Sequence, residues 1–189
     1  MKVSPEEVLE FWLKDTGAKG WYKNSDALDD AIRTRFLDTW KQAKAGDLDY
    51  WECSPTNALA LLIVLDQFPR NMFRGDGQSF ATDAKALALA KKSVSKRFDM
   101  DTPSPERQFF YLPLMHSENG SDQDMSVRLV KLNLGEGEVL KHARIHREVI
   151  RKFGRFPYRN DALGRNTTQA EAKYLANGGY AFSVREFDG

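Results

Sequence analysis

The chain has 189 residues, with 28 Lys plus Arg against 27 Asp plus Glu, for a net charge of +1. That length holds a single domain with a sizeable core, and the even charge balance excludes an obvious nucleic-acid or membrane-surface binder. An apolar share of 41% beside 29% charged residues is globular composition, neither disordered nor membranous.

Cys53 is the single cysteine. It can form neither an internal disulfide nor the thiolate set of a structural zinc site, and the chain reads as cytoplasmic. The N-terminal MKVSPEEVLEFW places acids where a signal peptide needs an apolar stretch. The longest apolar run, 58–65, falls far short of the ~20 residues of a membrane span and predicts a buried helix. No cofactor and no metal are called for.

Helix-start signals recur along the chain. Ser4-Pro5-Glu6-Glu7 is a full capping box with proline at the first helical position, and Ser54-Pro55 and Ser104-Pro105-Glu106 repeat its Ser-Pro part. These predict helices from about residues 5, 55 and 105. Ser25-Asp26 opens a stretch with Leu28, Ile32, Phe36 and Trp40 on one face, closed by Gly46.

The alanine-rich stretch 79–97 predicts a further helix, and Ser121-Asp122 starts another through about Asn133. Over 138–153 the stripe Val139, Ala143, His146, Ile150, Phe153 is helical, and Gly154 stops it. A second capping box, Thr168 to Glu171, begins a short helix that ends at Gly178. No segment alternates with period two, so the expectation is a single all-helical domain over 1–189. It would hold about eight helices in antiparallel hairpins without a clear sequence repeat.

Two segments echo each other after apolar helices: Gln67-Phe68-Pro69-Arg70-Asn71 and Arg155-Phe156-Pro157-Tyr158-Arg159-Asn160, continued by Arg74-Gly75 and Gly164-Arg165. Proline interrupts a helix, so each segment is predicted to turn the chain sharply and project Arg and Asn there. In the structural reading those side chains satisfy orphan carbonyls at the helix ends. Between the echoes, Pro113 is predicted to kink or end the helix begun at Pro105, freeing backbone groups near His116, Ser117 and Glu118.

At these residues the sequence resembles a known family. LDQFPRNMFRG at 65–75, FFYLPLMHSEN at 109–119, HREVI at 146–150 and FGRFPYRNDALGR at 153–165 are similar to the bacterial domain-of-unknown-function family 924. EFW at 10–12 and the Trp40 helix extend the resemblance over nearly the whole chain. It implies a tetratricopeptide-like (TPR-like) all-helical fold and carries no activity or catalytic residue with it. Where that family often has His after the second Phe-Pro, this chain has Tyr158.

Charge is not evenly distributed. Residues 1–60 carry a net −3, 61–130 carry zero, and 131–189 carry +4, with most of the excess base between Lys141 and Arg165. Many of these bases are arginines, whose planar forks suit carboxylate or phosphate. The predicted function is therefore binding of a small anionic molecule or acidic peptide. The concavity would be lined by Arg70, Asn71, Arg74, His116, Glu118, His146, Arg155, Arg159, Asn160 and Arg165. The competing structural reading pairs the arginines with acids across the fold.

Two alternatives use other properties of the chain. An enzyme would employ His116, Glu118, His146 and Asp66 in acid/base chemistry, although no nucleophile elbow, phosphate loop or zinc-binding helix motif is present. An interaction scaffold would instead dock a partner protein through Trp21-Tyr22 or Tyr50-Trp51.

Overall fold

A computed structural model describes residues 3–188, and among them there are helices and turns but no strands. The chain divides into two compact units, Met1–Pro113 and Leu114–Gly189. No helix among the described residues is long and apolar enough to cross a membrane.

In the first unit, α1 (Pro5–Leu9) starts as its sequence dictates: the Ser4 side chain accepts from Glu7 N at 3.3 Å, and Glu7 Oε2 accepts from Ser4 N at 2.8 Å. It runs on as a π-helical segment, Glu10–Thr16, which buries Phe11 and Trp12. The long amphipathic α2 (Asp26–Ala45) is capped by Ser25 and stopped by Gly46 at φ 98. Its buried face, Ile32, Phe36, Trp40 and Ala43, has helical spacing.

Next comes α3 (Pro55–Leu62), capped by Ser54, and every residue from Ala58 to Leu62 is buried. The helix widens into a π segment, Ile63–Gln67, and continues through Phe68–Met72. Phe68 anchors an aromatic cluster, with ring centroids 4.7 Å from Phe36, 5.6 Å from Trp12 and 6.2 Å from Phe11. The unit is completed by α4 (Asp83–Ser95), shorter than the predicted 79–97 because Gly77–Phe80 forms a separate 3-10 turn.

The first Phe-Pro does not turn the chain as predicted. Pro69 lies inside the helical run, which ends at Met72. Proline removes the N–H that would bond the carbonyl four residues back. Here the Thr82 hydroxyl donates to that Leu65 carbonyl at 2.6 Å, and the π segment lets Phe68 N reach Ile63 O instead. With the ring accommodated and the orphan acceptor satisfied, the helix continues.

The helix predicted from Pro105 is likewise corrected to a 3-10 turn, Glu106–Phe110, with three-residue bonds from Gln108 N to Pro105 O and Tyr111 N to Gln108 O. Pro103, Pro105 and Pro113 remove three amide donors within eleven residues, too many for a regular i→i−4 ladder. A short helix, α5 (Leu112–Met115), follows at the boundary of the units.

In the second unit, α6 (Gly120–Asn133) takes Asn119 as its cap, not Ser121: the Asn119 side chain accepts from Ser121 N at 2.9 Å. A connection of residues 134–137 leads to α7 (Glu138–Phe153), which packs along α6 and is stopped by Gly154 at φ 71. The second Phe-Pro then forms the 3-10 turn Pro157–Arg159, as predicted. Two shorter helices follow, α8 (Gln169–Ala176), with the Thr168 capping box intact, and α9 (Tyr180–Asp188). The core here is Val149, Ile150, Phe156 and Tyr174, with Phe153, Leu175 and Phe182 against it.

Candidate functional site

Arg70, Asn71 and Arg74 all lie in the first unit and bond within it. Arg70 Nη1 lies 2.9 Å from Asp83 Oδ1 and also donates to the Ser79 carbonyl, and Nη2 lies 3.6 Å from the buried Asp66. Asn71 Nδ2 donates to Asp29 Oδ1 at 2.7 Å. Arg74 grips the same carboxylate with two bonds of 2.9 Å, from Nε and Nη2. Burial pushes the Asp29 carboxyl up, but hydrogen bonds from Arg74 and Asn71 outweigh it and hold the group below its usual range. The first echo thus clamps α2 to the Phe68–Met72 run and the residues just after it.

His116, Glu118, His146, Arg155, Arg159, Asn160 and Arg165 lie in the second unit, where one network connects most of them. Arg155 Nε and Nη2 reach the two oxygens of Glu171 at 2.6 and 2.8 Å, and Glu171 also accepts from Thr168 N at 2.7 Å. These bonds, Arg155 first, hold the Glu171 carboxyl down at about 2. Fully buried Asn160 donates to Thr167 Oγ1 at 3.2 Å and accepts from Arg165 Nε at 3.1 Å.

Arg165 forks onto Glu118 at 2.7 and 3.1 Å, and its Nη2 also donates to Phe156 O at 3.0 Å. Glu118 Oε1 accepts from Phe156 N at 2.8 Å. Both backbone groups of Phe156 are therefore held by one ion pair, which fixes the turn after α7. Burial opposes ionisation of Glu118, yet Arg165 and the Phe156 amide keep its carboxyl below the usual range.

Arg159 is buried, with its guanidinium 4.5 Å above the Phe156 ring and Nη2 donating to His116 O at 3.0 Å. The neighbouring carbonyls are gripped from α6: Gln123 Nε2 donates to Met115 O at 2.6 Å and Ser117 O at 2.7 Å. Three successive carbonyls released at the end of α5 are thus satisfied by side chains, and the loop bearing His116 is set in place.

The three histidines of the protein gather here. The His146 ring lies 6.3 Å from His116, 5.4 Å from Phe156 and 4.7 Å from Tyr180, centroid to centroid. His142, one helical turn before His146, has Nδ1 2.6 Å from the Tyr180 hydroxyl, which is also 3.2 Å from His146 Nδ1. Tyr158, 37% exposed, stacks on Phe156 at 5.3 Å and meets Tyr180 edge-on at 5.9 Å.

Burial among these rings, followed by the electrostatic influence of His116 and, less, of Arg159 and His142, pushes the His146 imidazole down to about 3. A bond to the His142 carbonyl opposes that shift. No group of three or more His, Cys, Asp or Glu side chains able to hold a metal is present among the described residues.

The model of a bacterial protein family of unknown function, DUF924, matches residues 8–179. The chain belongs to that family. The solved structure of a protein of unknown function from Agrobacterium tumefaciens is similar throughout: TM-score 0.87, 37% identity, covering 92% of this chain and 97% of that one. No curated protein matches.

Sequence reasoning did not single out His142, Gln123 or Tyr180, and it read Glu171 only as the capping-box partner of Thr168. The i,i+4 spacing of His142 and His146 was a readable sign that both share one face of α7. Tyr180 carried no such sign, because it reaches the cluster only through the fold of α8 and α9.

Proposed function

We propose that this DUF924 chain binds a small anionic molecule in its second unit, at His116, His146, Tyr158, Arg159 and Tyr180. The observation that carries this reading is the gathering of all three histidines with the Arg159 guanidinium around Phe156 and Tyr180. A buried guanidinium beside imidazoles and phenols attracts an anion. Arg155 and Arg165, engaged by Glu171 and Glu118, serve as the frame of this site, and Arg70, Asn71 and Arg74 frame the first unit.

The reading extends to the architecture. The hairpin of α6 and α7, joined by residues 134–137, is the kind of helical pair from which a TPR-like array is assembled. A lone Cys53, exposed and unpaired with another cysteine, suits the reducing cytoplasm.

Titration with sodium acetate and inorganic phosphate, followed by NMR of the histidine side chains, tests the site. The expected result is saturable shifts of the His116 and His146 signals in the wild type and their loss in a folded Arg159→Gln variant. Unmoved histidine signals up to tens of millimolar anion would refute it.

A further inference from the structure

In the second unit, α7, α8 and α9 enclose a half-open groove of about 230 Å³. Its floor comes from four-residue spacing on α7, which sets Ile145, Val149 and Phe153 on one face, and from Tyr174 of α8. Across from them α9 contributes Phe182 and Phe187, the latter 42% exposed. The Tyr174 hydroxyl lies 2.9 Å from Ser183 Oγ, so the two hydroxyls of the groove satisfy each other and the rest of its interior is apolar.

Three charged side chains stand at the lip: Glu148 and Lys152 from α7, and Glu186 from α9. Glu148 is engaged by Arg151 at 2.9 Å and by Arg147 at 3.5 Å. Lys152 and Glu186 have no ion-pair partner among the described residues, and they do not reach each other although both border the groove. The Lys152 ammonium lies 5.4 Å from the centre of the Phe153 ring, over one wall. An apolar body carrying one anionic and one cationic group matches this lip. The volume sets its size: pockets for drug-sized ligands run to about 300–1,000 Å³, and this smaller groove suits one apolar side chain with its head group. A peptide end supplies only one of the two charges, an ammonium at its N-terminus or a carboxylate at its C-terminus. A free α-amino acid supplies both.

We infer that this groove binds a free α-amino acid with an apolar or aromatic side chain, which lies on the floor of Val149, Phe153 and Tyr174 while its carboxylate faces Lys152 and its ammonium faces Glu186. The groove shares no residue with the anion site proposed above, so each stands or falls without the other. Binding would also cover part of the exposed Phe187 ring.

L-phenylalanine, its amide and its N-acetyl derivative separate the two charges, since each derivative lacks one. NMR titration of the wild type at about pH 6.5, where α-amino groups are protonated, is expected to give saturable shifts of the Tyr174 and Phe182 ring signals with L-phenylalanine. Each derivative is expected to bind about three-fold more weakly, the scale of one exposed ion pair. Lys152→Met should erase the advantage over the amide, and Glu186→Gln the advantage over the N-acetyl derivative; both positions are exposed, so the fold is retained. Equal affinity of either derivative in the wild type overturns the inference in favour of a peptide end. Unchanged selectivity in the variants also overturns it, as do unmoved Tyr174 and Phe182 signals up to tens of millimolar L-phenylalanine. Shifts at His116 and His146 alone would put the ligand in the anion site and overturn it as well.

Discussion

Gln123 Nε2 reaches the carbonyls of Met115 and Ser117 at once, at 2.6 and 2.7 Å, so one fully buried amide brackets the residue between them, His116. The helix ends at Met115, so these last carbonyls have no following helical turn to supply N–H donors. A side chain from the next helix takes their place, and Arg159 holds the carbonyl in the middle. The position of His116 is thus a property of α6 and of the turn after α7, not of its own segment.

Gln123→Ala removes both bonds and leaves two acceptors without their donor. The expected loss is about 2 kcal/mol in urea unfolding, because an unsatisfied buried polar group costs more than the bond itself contributes. Sharp His116 side-chain signals in wild type should broaden in the variant. Unchanged stability would show that water replaces the amide at no cost.

Thr82 has the corresponding role in the first unit. Its hydroxyl donates to Leu65 O at 2.6 Å and accepts from Trp40 Nε1 at 3.2 Å. Thr82→Val keeps the shape and removes both bonds in a site 2% exposed, so a destabilisation of about 2 kcal/mol is expected, with Thr82→Ser retaining most of the stability. Trp40 fluorescence should report the change, since its indole N–H loses its acceptor.

Glu118 and Arg165 form a forked pair around Phe156, and the fork is what lysine cannot reproduce. Arg165→Lys and Glu118→Gln should each destabilise the protein, and a double-mutant cycle should return a coupling of about 1–2 kcal/mol. The exposed pair of Arg33 and Asp30 serves as a control, with coupling below ~0.5 kcal/mol. Additive effects at Glu118 and Arg165 would contradict the frame role.

Acid should destabilise the fold in two stages. The His146 imidazole is held below its usual range, so the unfolded chain takes up that proton first; stability is complete above about pH 6.5 and declines as pH falls toward about 3. Glu171 and Glu118 are held down as well, so their contributions are complete above the ordinary glutamate range and are lost on further acidification, for Glu171 toward about 2. Urea midpoints measured from pH 7 to 4 should fall steadily in wild type. His146→Phe should be flatter between pH 7 and 5 and retain the lower stage.

Much of the fold was legible because helix starts and stops are local chemistry. Ser4 and Thr168 close their capping boxes, Ser25 and Ser54 cap their helices, and Gly46 and Gly154 stop theirs in left-handed conformations. The two Phe-Pro echoes show where this legibility ends. Identical dipeptides give a continuing helix at Pro69 and a turn at Pro157, because what decides between them is the Thr82 hydroxyl, seventeen residues from the carbonyl it satisfies.

Local residue patterns establish that the chain is helical, where most helices begin and end, and that excess base collects between Lys141 and Arg165. The partners of those bases follow from folding. Arg155 and Arg165 fork onto Glu171 and Glu118, and Arg159 turns inward, where it meets the His116 carbonyl and the Phe156 ring. The reason is reach: capping acts over three or four residues of one helix, whereas charge pairing depends on distances that folding sets between residues far apart in the chain. The same holds for the imidazoles. His146 was visible as a polar residue in an apolar stripe, but its contact with Tyr180, thirty-four residues away, is set by the fold.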